Sequence, residues 1–317
     1  MQADAQSGQI GLEQGGAEAW AGIFDRCETY VAGTQRFRVY SAGIEEGKEK
    51  TTLLLLHGAG HCALSWALCA QILKPFTRVI AYDARMHGAT ESDSTDLSVE
   101  SLVEDLTRVV EGFCPQEGDR QPPFVLIGHS LGGAIAIKAA AHANWPGLQG
   151  VILLDTVEGI AQQSFSTTAS LLRMRPTFFE SPDAAVQWAL RSGMLANRDS
   201  AILSVPASLR SVVRQGTPGW EWIMDMSSSE RYWKGWFQDA SKKFLSLPCG
   251  KLLILSSADH RDPAITIGHM QGKFQLEVVP GGHAIQEDHP REVSRHIIQF
   301  LQRRKLCTSV LLTAKEY

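Results

Sequence analysis

Phe124-Val-Leu-Ile-Gly-His-Ser130-Leu-Gly-Gly133 joins four consecutive apolar residues to a Gly-x-Ser-x-Gly turn, and small residues at helical spacing follow it to His142. An unbroken apolar run of this length reads as a strand buried on both faces. The glycines permit a sharp, strained reversal into the helix, which lifts Ser130 to the end of the strand with its hydroxyl exposed. On its own, Gly-x-Ser-x-Gly could be no more than a tight turn. Strand before and helix after are the context in which it is a nucleophile position.

Working outward, the same pattern recurs. Phe37 to Tyr40 reads as an early strand, Thr52-Leu-Leu-Leu-Leu56 as a buried strand that runs into His57-Gly-Ala-Gly60, and Arg78 to Tyr82 as another ending at Asp83. Ser98 caps an amphipathic stretch with Leu102, Leu106, Val109 and Val110 on one face. Beyond the turn, Val151 to Leu154 ends at Asp155, Lys251 to Leu255 ends near Asp259, and Phe274 to Val279 leads to Pro280-Gly-Gly-His283. Strands alternating with helices predict a parallel sheet covered on both sides. Between Thr156 and about Pro248 the strand pattern stops and helix-like stretches rich in Trp, Arg and Met take over, including Ala184 to Leu190 and Arg231 to Phe244. A helical insertion of this kind, over the strand ends, shapes a pocket.

Serine is a weak nucleophile and needs a base to take its proton and a third group to orient that base. His283, after a strand and before a helix opened by Pro290, is the candidate base. Nucleophile, acid, then histidine is the chain order of the α/β-hydrolase fold. Two aspartates could supply the acid, Asp155 and Asp259, each closing a strand. The residues alone leave that choice open. The His57-Gly-Ala-Gly60 turn suits an oxyanion loop, with the backbone N–H groups of Ala59 and Leu131 facing the developing negative charge. This chemistry calls for no metal and no cofactor.

Composition narrows the rest. The chain has 317 residues, 44% hydrophobic and 20% charged, with a formal charge of -4. That balance fits one globular α/β-hydrolase domain over 21–305, including the helical lid at about 156–248, between a polar tail at 1–20 and a divergent tail at 306–317. Neither a basic patch nor a nucleic-acid motif is present, so nucleic acid is not expected as a partner. Apolar runs fall far short of the roughly 20 residues that span a bilayer, so membrane is not expected either. Six scattered cysteines with no Cys-x-x-Cys pair read as reduced, mostly buried thiols, and without a secretory leader they suggest a cytoplasmic or nuclear protein.

Six segments carry a closer resemblance: Leu53 to Trp66, Asp83 to Gly88, Gly128 to Ala136, Asp155-Thr-Val-Glu-Gly159, Thr266-Ile-Gly-His-Met-Gln-Gly-Lys-Phe-Gln275 and Gly282 to Asp288. Together they resemble the protein phosphatase methylesterases, from about Phe37 to Arg303. The Asp-x-Val-Glu-Gly and Met-Gln-Gly-Lys-Phe-Gln stretches are not general hydrolase features. The resemblance implies a serine esterase that removes the methyl ester from the C-terminal leucine of the protein phosphatase 2A catalytic subunit, free or in its scaffold-bound core enzyme. It also implies Asp155 as the acid, and Arg173-Met-Arg-Pro176 as part of the region that meets the phosphatase. The chain departs from the family pattern at Ala59, where a third glycine is common, and in its last residues from Leu306. The alternatives are a general small-molecule carboxylesterase or lipase of the same fold, and a non-catalytic phosphatase-binding protein.

Overall fold

The computed structural model describes residues 19–43, 51–258 and 262–307. Eight strands form the main sheet: β1 (Arg26–Ala32), β2 (Gln35–Ala42), β3 (Thr52–Leu56), β4 (Arg78–Tyr82), β5 (Phe124–His129), β6 (Leu148–Leu154), β9 (Gly250–Leu255) and β10 (Gln275–Val278). Their order is β1-β2-β4-β3-β5-β6-β9-β10. β1 and β2 are antiparallel to their neighbours, and the rest run parallel.

The apolar runs continue without a polar alternate because both faces of the sheet are covered. Leu54, Leu56, Leu126 and Leu153 enter one core with α2 (Val99–Phe113) and α3 (Leu131–His142). Leu53, Leu55, Ile127 and Ile152 enter the other, with α1 (Ala67–Leu73) and α11 (Pro290–Arg303). Leu53, Leu54 and Leu55 are 0% exposed, and full burial of each leucine side chain contributes about 2 kcal/mol. α2 begins where the sequence places its cap, with Ser98 Oγ accepting from the Ser101 N–H.

The segment between β6 and β9 contains α4 (Glu158–Met174), α5 (Pro182–Arg191), α6 (Arg198–Ala207), α7 (Glu230–Phe237) and α8 (Ala240–Ser246). The expected helix from Arg231 to Phe244 is two helices, split at Asp239 by a left-handed residue with φ 60°. A hairpin that the sequence pattern does not announce also lies here: β7 (Leu209–Arg214) pairs with β8 (Thr217–Trp222) across Gln215-Gly216. It escapes a periodicity reading because most of its positions are exposed or half-exposed, which leaves no strong apolar alternation. The insertion has a small core of its own, including Phe179, Val186, Leu195, Val205 and Leu209, into which Ala284 also packs. Of the remaining helices, α9 (Pro263–Met270) precedes β10, and α10 (Ile285–Asp288) follows it.

Among the described residues no helix is long and apolar enough to cross a membrane. All six cysteines are free thiols; Cys62, Cys69 and Cys114 are buried, and burial pushes the Cys69 thiol up to about 12.

Candidate active site

Register in the parallel sheet brings the site together. Leu56 lies opposite Gly128, His129 opposite Leu154, and Leu154 opposite Ile254. The residues that leave the C-terminal ends of β3, β5, β6 and β9 are therefore neighbours, which is where open parallel sheets place their sites.

Ser130 sits between β5 and α3 at φ 50° and ψ -116°. A non-glycine residue held there stores about 1–3 kcal/mol of backbone strain. Its surroundings fix it: the Ser130 N–H donates to the Leu154 carbonyl at 3.1 Å, and the Ser130 carbonyl accepts from Thr156 Oγ1 at 3.2 Å. Gly132 makes the turn possible, since a Cβ there would fall 2.3 Å from the Leu56 carbonyl oxygen. Only glycine lets α3 start this close to β3.

Asp155, at φ 47°, is the first residue after β6. Its Oδ1 accepts from the Ser256 N–H at 3.0 Å and from Ser256 Oγ at 2.8 Å. Its Oδ2 is 2.6 Å from His283 Nδ1. Burial pushes this carboxyl up, yet the His283 bond and charge and the two Ser256 donors outweigh it, and Asp155 stays below the usual carboxylate range. Asp155 is thus a carboxylate with both oxygens engaged, one holding the strand end and one holding the histidine. The other acid considered, Asp259, lies outside the described residues.

The His283 side chain is 56% exposed, and its ring stands 4.7 Å from that of His129. The structure joins His283 to Asp155; among the described residues, Ser130 Oγ has no hydrogen-bond partner. Nucleophile-to-base contacts are often loose without substrate. His129, the variable residue of the Gly-x-Ser-x-Gly turn, is fully buried and donates from Nε2 to the His283 carbonyl at 2.9 Å. Burial holds its pKa well below the ordinary histidine value, so it is a neutral donor that ties the backbone of the candidate base to the strand leading to the candidate nucleophile.

Two more buried histidines shape the loop after β3. His57 donates from Nδ1 to the Gly58 carbonyl at 2.8 Å and accepts the Ala84 N–H on Nε2 at 3.0 Å. His87 donates from Nδ1 to the Arg85 carbonyl at 2.8 Å and accepts the Gly60 N–H on Nε2 at 2.9 Å. These pairings require both rings to be neutral, and burial lowers the His87 pKa to about 4. Beneath them, the Asp83 carboxyl accepts from the Ala63 and Ala89 N–H groups at 2.7 and 2.9 Å. The loop is thus fixed on either side of Ala59. Among the described residues, the N–H groups of Ala59 and Leu131 donate to no protein acceptor. A Cβ on Gly58 would stand 3.4 Å from Ser130 Cβ, so the loop lies directly against the candidate nucleophile.

A carboxylate the sequence does not single out secures the far side. Glu287 is 0% exposed, and it accepts from His61 Nδ1 at 3.0 Å and from Ser200 Oγ at 3.0 Å, with Ser204 as a further donor. Asp288 accepts from the Ala196 and Asn197 N–H groups at 2.7 and 3.1 Å. The short helix after His283 is in this way bolted to α6 of the insertion. Sequence offers Ser256, His129 and Glu287 only through position: the first follows a predicted strand, the second lies within the turn, and the third is four residues beyond the base. Among the described residues, no group of three or more His, Cys, Asp or Glu side chains is placed to hold a metal ion.

Comparison with known proteins adds the family. The Alpha/beta hydrolase family profile matches residues 53–296. Protein phosphatase methylesterase 1 of Rattus norvegicus and that of Homo sapiens are each 36% identical over 339 residues, covering 92% of this chain and 86% of the relative. The protein of the same name from Schizosaccharomyces pombe is 36% identical over 80% of this chain and 75% of its own length. Among solved structures, E-2-(acetamidomethylene)succinate hydrolase superposes with a TM-score of 0.71 at 17% identity, covering 87% of this chain and 99% of its own. An esterase of Mycobacterium tuberculosis superposes at 0.66 with 21% identity, covering 89% and 93%. At such identities these two likenesses speak for the fold alone. Profile and relatives together make this chain a member of the protein phosphatase methylesterase 1 family within the α/β hydrolases, and a carboxylic ester hydrolase.

Proposed function

We propose that this enzyme removes the methyl ester from the C-terminal leucine of the protein phosphatase 2A catalytic subunit, with Ser130 as nucleophile, His283 as base and Asp155 as the acid that orients it. The observation that carries the reading is the 2.6 Å contact between His283 Nδ1 and Asp155 Oδ2 at the strand ends beside Ser130. It presents the unprotonated Nε2 as the proton acceptor. Ser130 Oγ attacks the ester carbonyl as His283 takes its proton, and the N–H groups of Ala59 and Leu131 receive the oxyanion. The imidazolium returns that proton to methoxide, and methanol leaves. Water then attacks the acyl-enzyme, again giving its proton to His283, and the C–O bond to Ser130 breaks as the proton passes to Oγ. The products are methanol and a free C-terminal carboxylate.

The relatives' names and the segments at Asp155 to Gly159 and Thr266 to Gln275 support this substrate. On this reading the partner is the phosphatase catalytic subunit, free or scaffold-bound, met in the cytoplasm or nucleus. The test is methanol release from the carboxymethylated catalytic subunit, set beside hydrolysis of a simple aryl ester. A higher kcat/KM on the methylated phosphatase is expected. Turnover of the aryl ester with no methanol from the phosphatase would place the enzyme among general carboxylesterases.

A further inference from the structure

Arg175 packs beside the oxyanion loop, and among the described residues no acidic group answers its charge. Its guanidinium lies over the Trp222 ring at 3.6 Å. The Trp222 Nε1–H in turn donates to the Pro176 carbonyl at 2.9 Å, and Phe179 meets the same indole edge-on at 5.3 Å. The side chain is therefore held in place by the end of the β7–β8 hairpin. Its Nε is sealed from solvent without an acceptor, and among the described residues its terminal nitrogens donate to no carboxylate or carbonyl. Burial lowers its pKa to about 10, with no opposing charge among those residues to raise it again.

Arg85 shows what a buried arginine with a purely structural role looks like in this fold. It donates to Asp105 Oδ1 at 2.7 Å and to the Asp96 carbonyl at 3.0 Å. Arg175 is half-buried rather than buried, and of its nitrogens only Nε is both sealed from solvent and unpartnered; the cost of that partial desolvation is offset when an anion arrives. Position says where that anion would be. Arg175 Nη1 lies 3.6 Å from where a Cβ on Gly60 would be, with Met226 Sδ 2.9 Å from the same point, and Trp222 packs with Gly60, His61 and His87 around a narrow crevice that has no room for a water molecule. Gly58, two residues earlier, touches Ser130. A peptide esterified at Ser130 that follows the Gly58–Gly60 loop, with two residues spanning at most roughly 7 Å, would bring a side chain one or two residues upstream toward the guanidinium.

We propose that Arg175 is a carboxylate-binding subsite of the active site, held ready on Trp222 for an acidic group on the acyl half of the substrate. The methyl ester is neutral, so the carboxylate comes either from an acidic side chain just before the C-terminal residue or from the newly freed product. Guanidinium suits both, because its planar fork matches a carboxylate with two parallel bonds. The inference rests on the proposed esterase reaction for the identity of the ligand, but its test does not depend on turnover.

Dissociation constants are measured on full-length Ser130→Ala and Ser130→Ala/Arg175→Gln proteins, using short peptides that end in leucine. One is a methyl ester with Asp two residues before the end, the second the same ester with Asn there, and the third the free acid of the Asn peptide. The expected result is that Ser130→Ala binds the Asp ester at least ~10-fold more tightly than the Asn ester, and that Arg175→Gln abolishes the difference. If the free acid instead outbinds its ester, and Arg175→Gln abolishes that difference, the product is the source of the carboxylate and the subsite stands. Ratios that survive Arg175→Gln, no preference for either carboxylate, or no binding by any of the three peptides overturn it. Wild-type methanol release from the Asn ester is followed separately. Release without a carboxylate preference would sink the subsite and spare the esterase reading. An Arg175-dependent preference with no release from that ester would do the reverse.

Discussion

Asp155→Asn distinguishes the two oxygens of one carboxylate, and the structure says how. Asp155 Oδ1 accepts two donors from Ser256, at 3.0 and 2.8 Å, while Oδ2 accepts only from His283. Asparagine has one oxygen and one NH2 group. The oxygen stays where two donors demand it, so the NH2 turns toward His283 Nδ1. A donor cannot face Nδ1–H; the imidazole adopts the opposite tautomer, with its proton on Nε2. In that form it cannot accept the proton of Ser130. The loss expected for a wrong tautomer with intact geometry is about 10⁴-fold in kcat, or roughly 5.5 kcal/mol of barrier. KM should move little, since Asp155 holds the far side of the imidazole from the nucleophile. Steady-state methanol release reads both parameters, with thermal unfolding as a check that the substitution has not disturbed the strand end. A fall of less than about tenfold in kcat would refute the tautomer argument and reopen the assignment of the acid.

Ser256→Ala removes one donor from Asp155 and leaves the backbone N–H; kcat should fall by less than about tenfold, and a loss as deep as that of Asp155→Asn would show that Oδ1 has been given the wrong role. His87→Gln keeps an acceptor for the Gly60 N–H but cannot titrate. Because the His87 pKa is lowered from 6.5 to about 4 in the fold, the unfolded chain binds the extra proton between those values, and stability from this group is lost as pH falls through that window. The linkage is worth about 3 kcal/mol, so chemical denaturation from pH 7 to pH 4 should show wild type losing about that much more stability than His87→Gln; parallel curves would refute it. Leu55→Ala opens a cavity at a position with 0% exposure and should cost about 3 kcal/mol in denaturant unfolding, without altering KM; a cost under about 1 kcal/mol would contradict the two-faced burial of the sheet.

The parts of the fold that are legible in the sequence are those buried on two faces. Thr52 to Leu56 and Phe124 to Ile127 read as strands because neither face meets water, and the strand ends then offer Ser130, His283 and two candidate acids, Asp155 and Asp259, between which the strand pattern does not choose. β1 is invisible for the opposite reason: as the sheet edge, its residues are exposed or half-exposed, and Arg-Cys-Glu-Thr-Tyr-Val-Ala carries no unbroken apolar run. The β7–β8 hairpin escapes likewise, although it positions Trp222. The neutral histidines lie in plain view, but His57, His87 and His129 acquire meaning only through backbone groups that folding brings to their rings, which one-dimensional spacing does not encode. Arg175 is similar. The resemblance marks Arg173-Met-Arg-Pro176 as a segment, but Arg175 stands apart within it only once no described carboxylate is found beside it.

Ser130 is the residue proposed to carry the methyl-ester hydrolysis. Its most direct test is the time course of methanol release from the carboxymethylated phosphatase 2A catalytic subunit by the wild-type enzyme and by Ser130→Ala. Multiple turnovers by the wild type and no release above buffer by Ser130→Ala are expected. Equal release by the two proteins would contradict it.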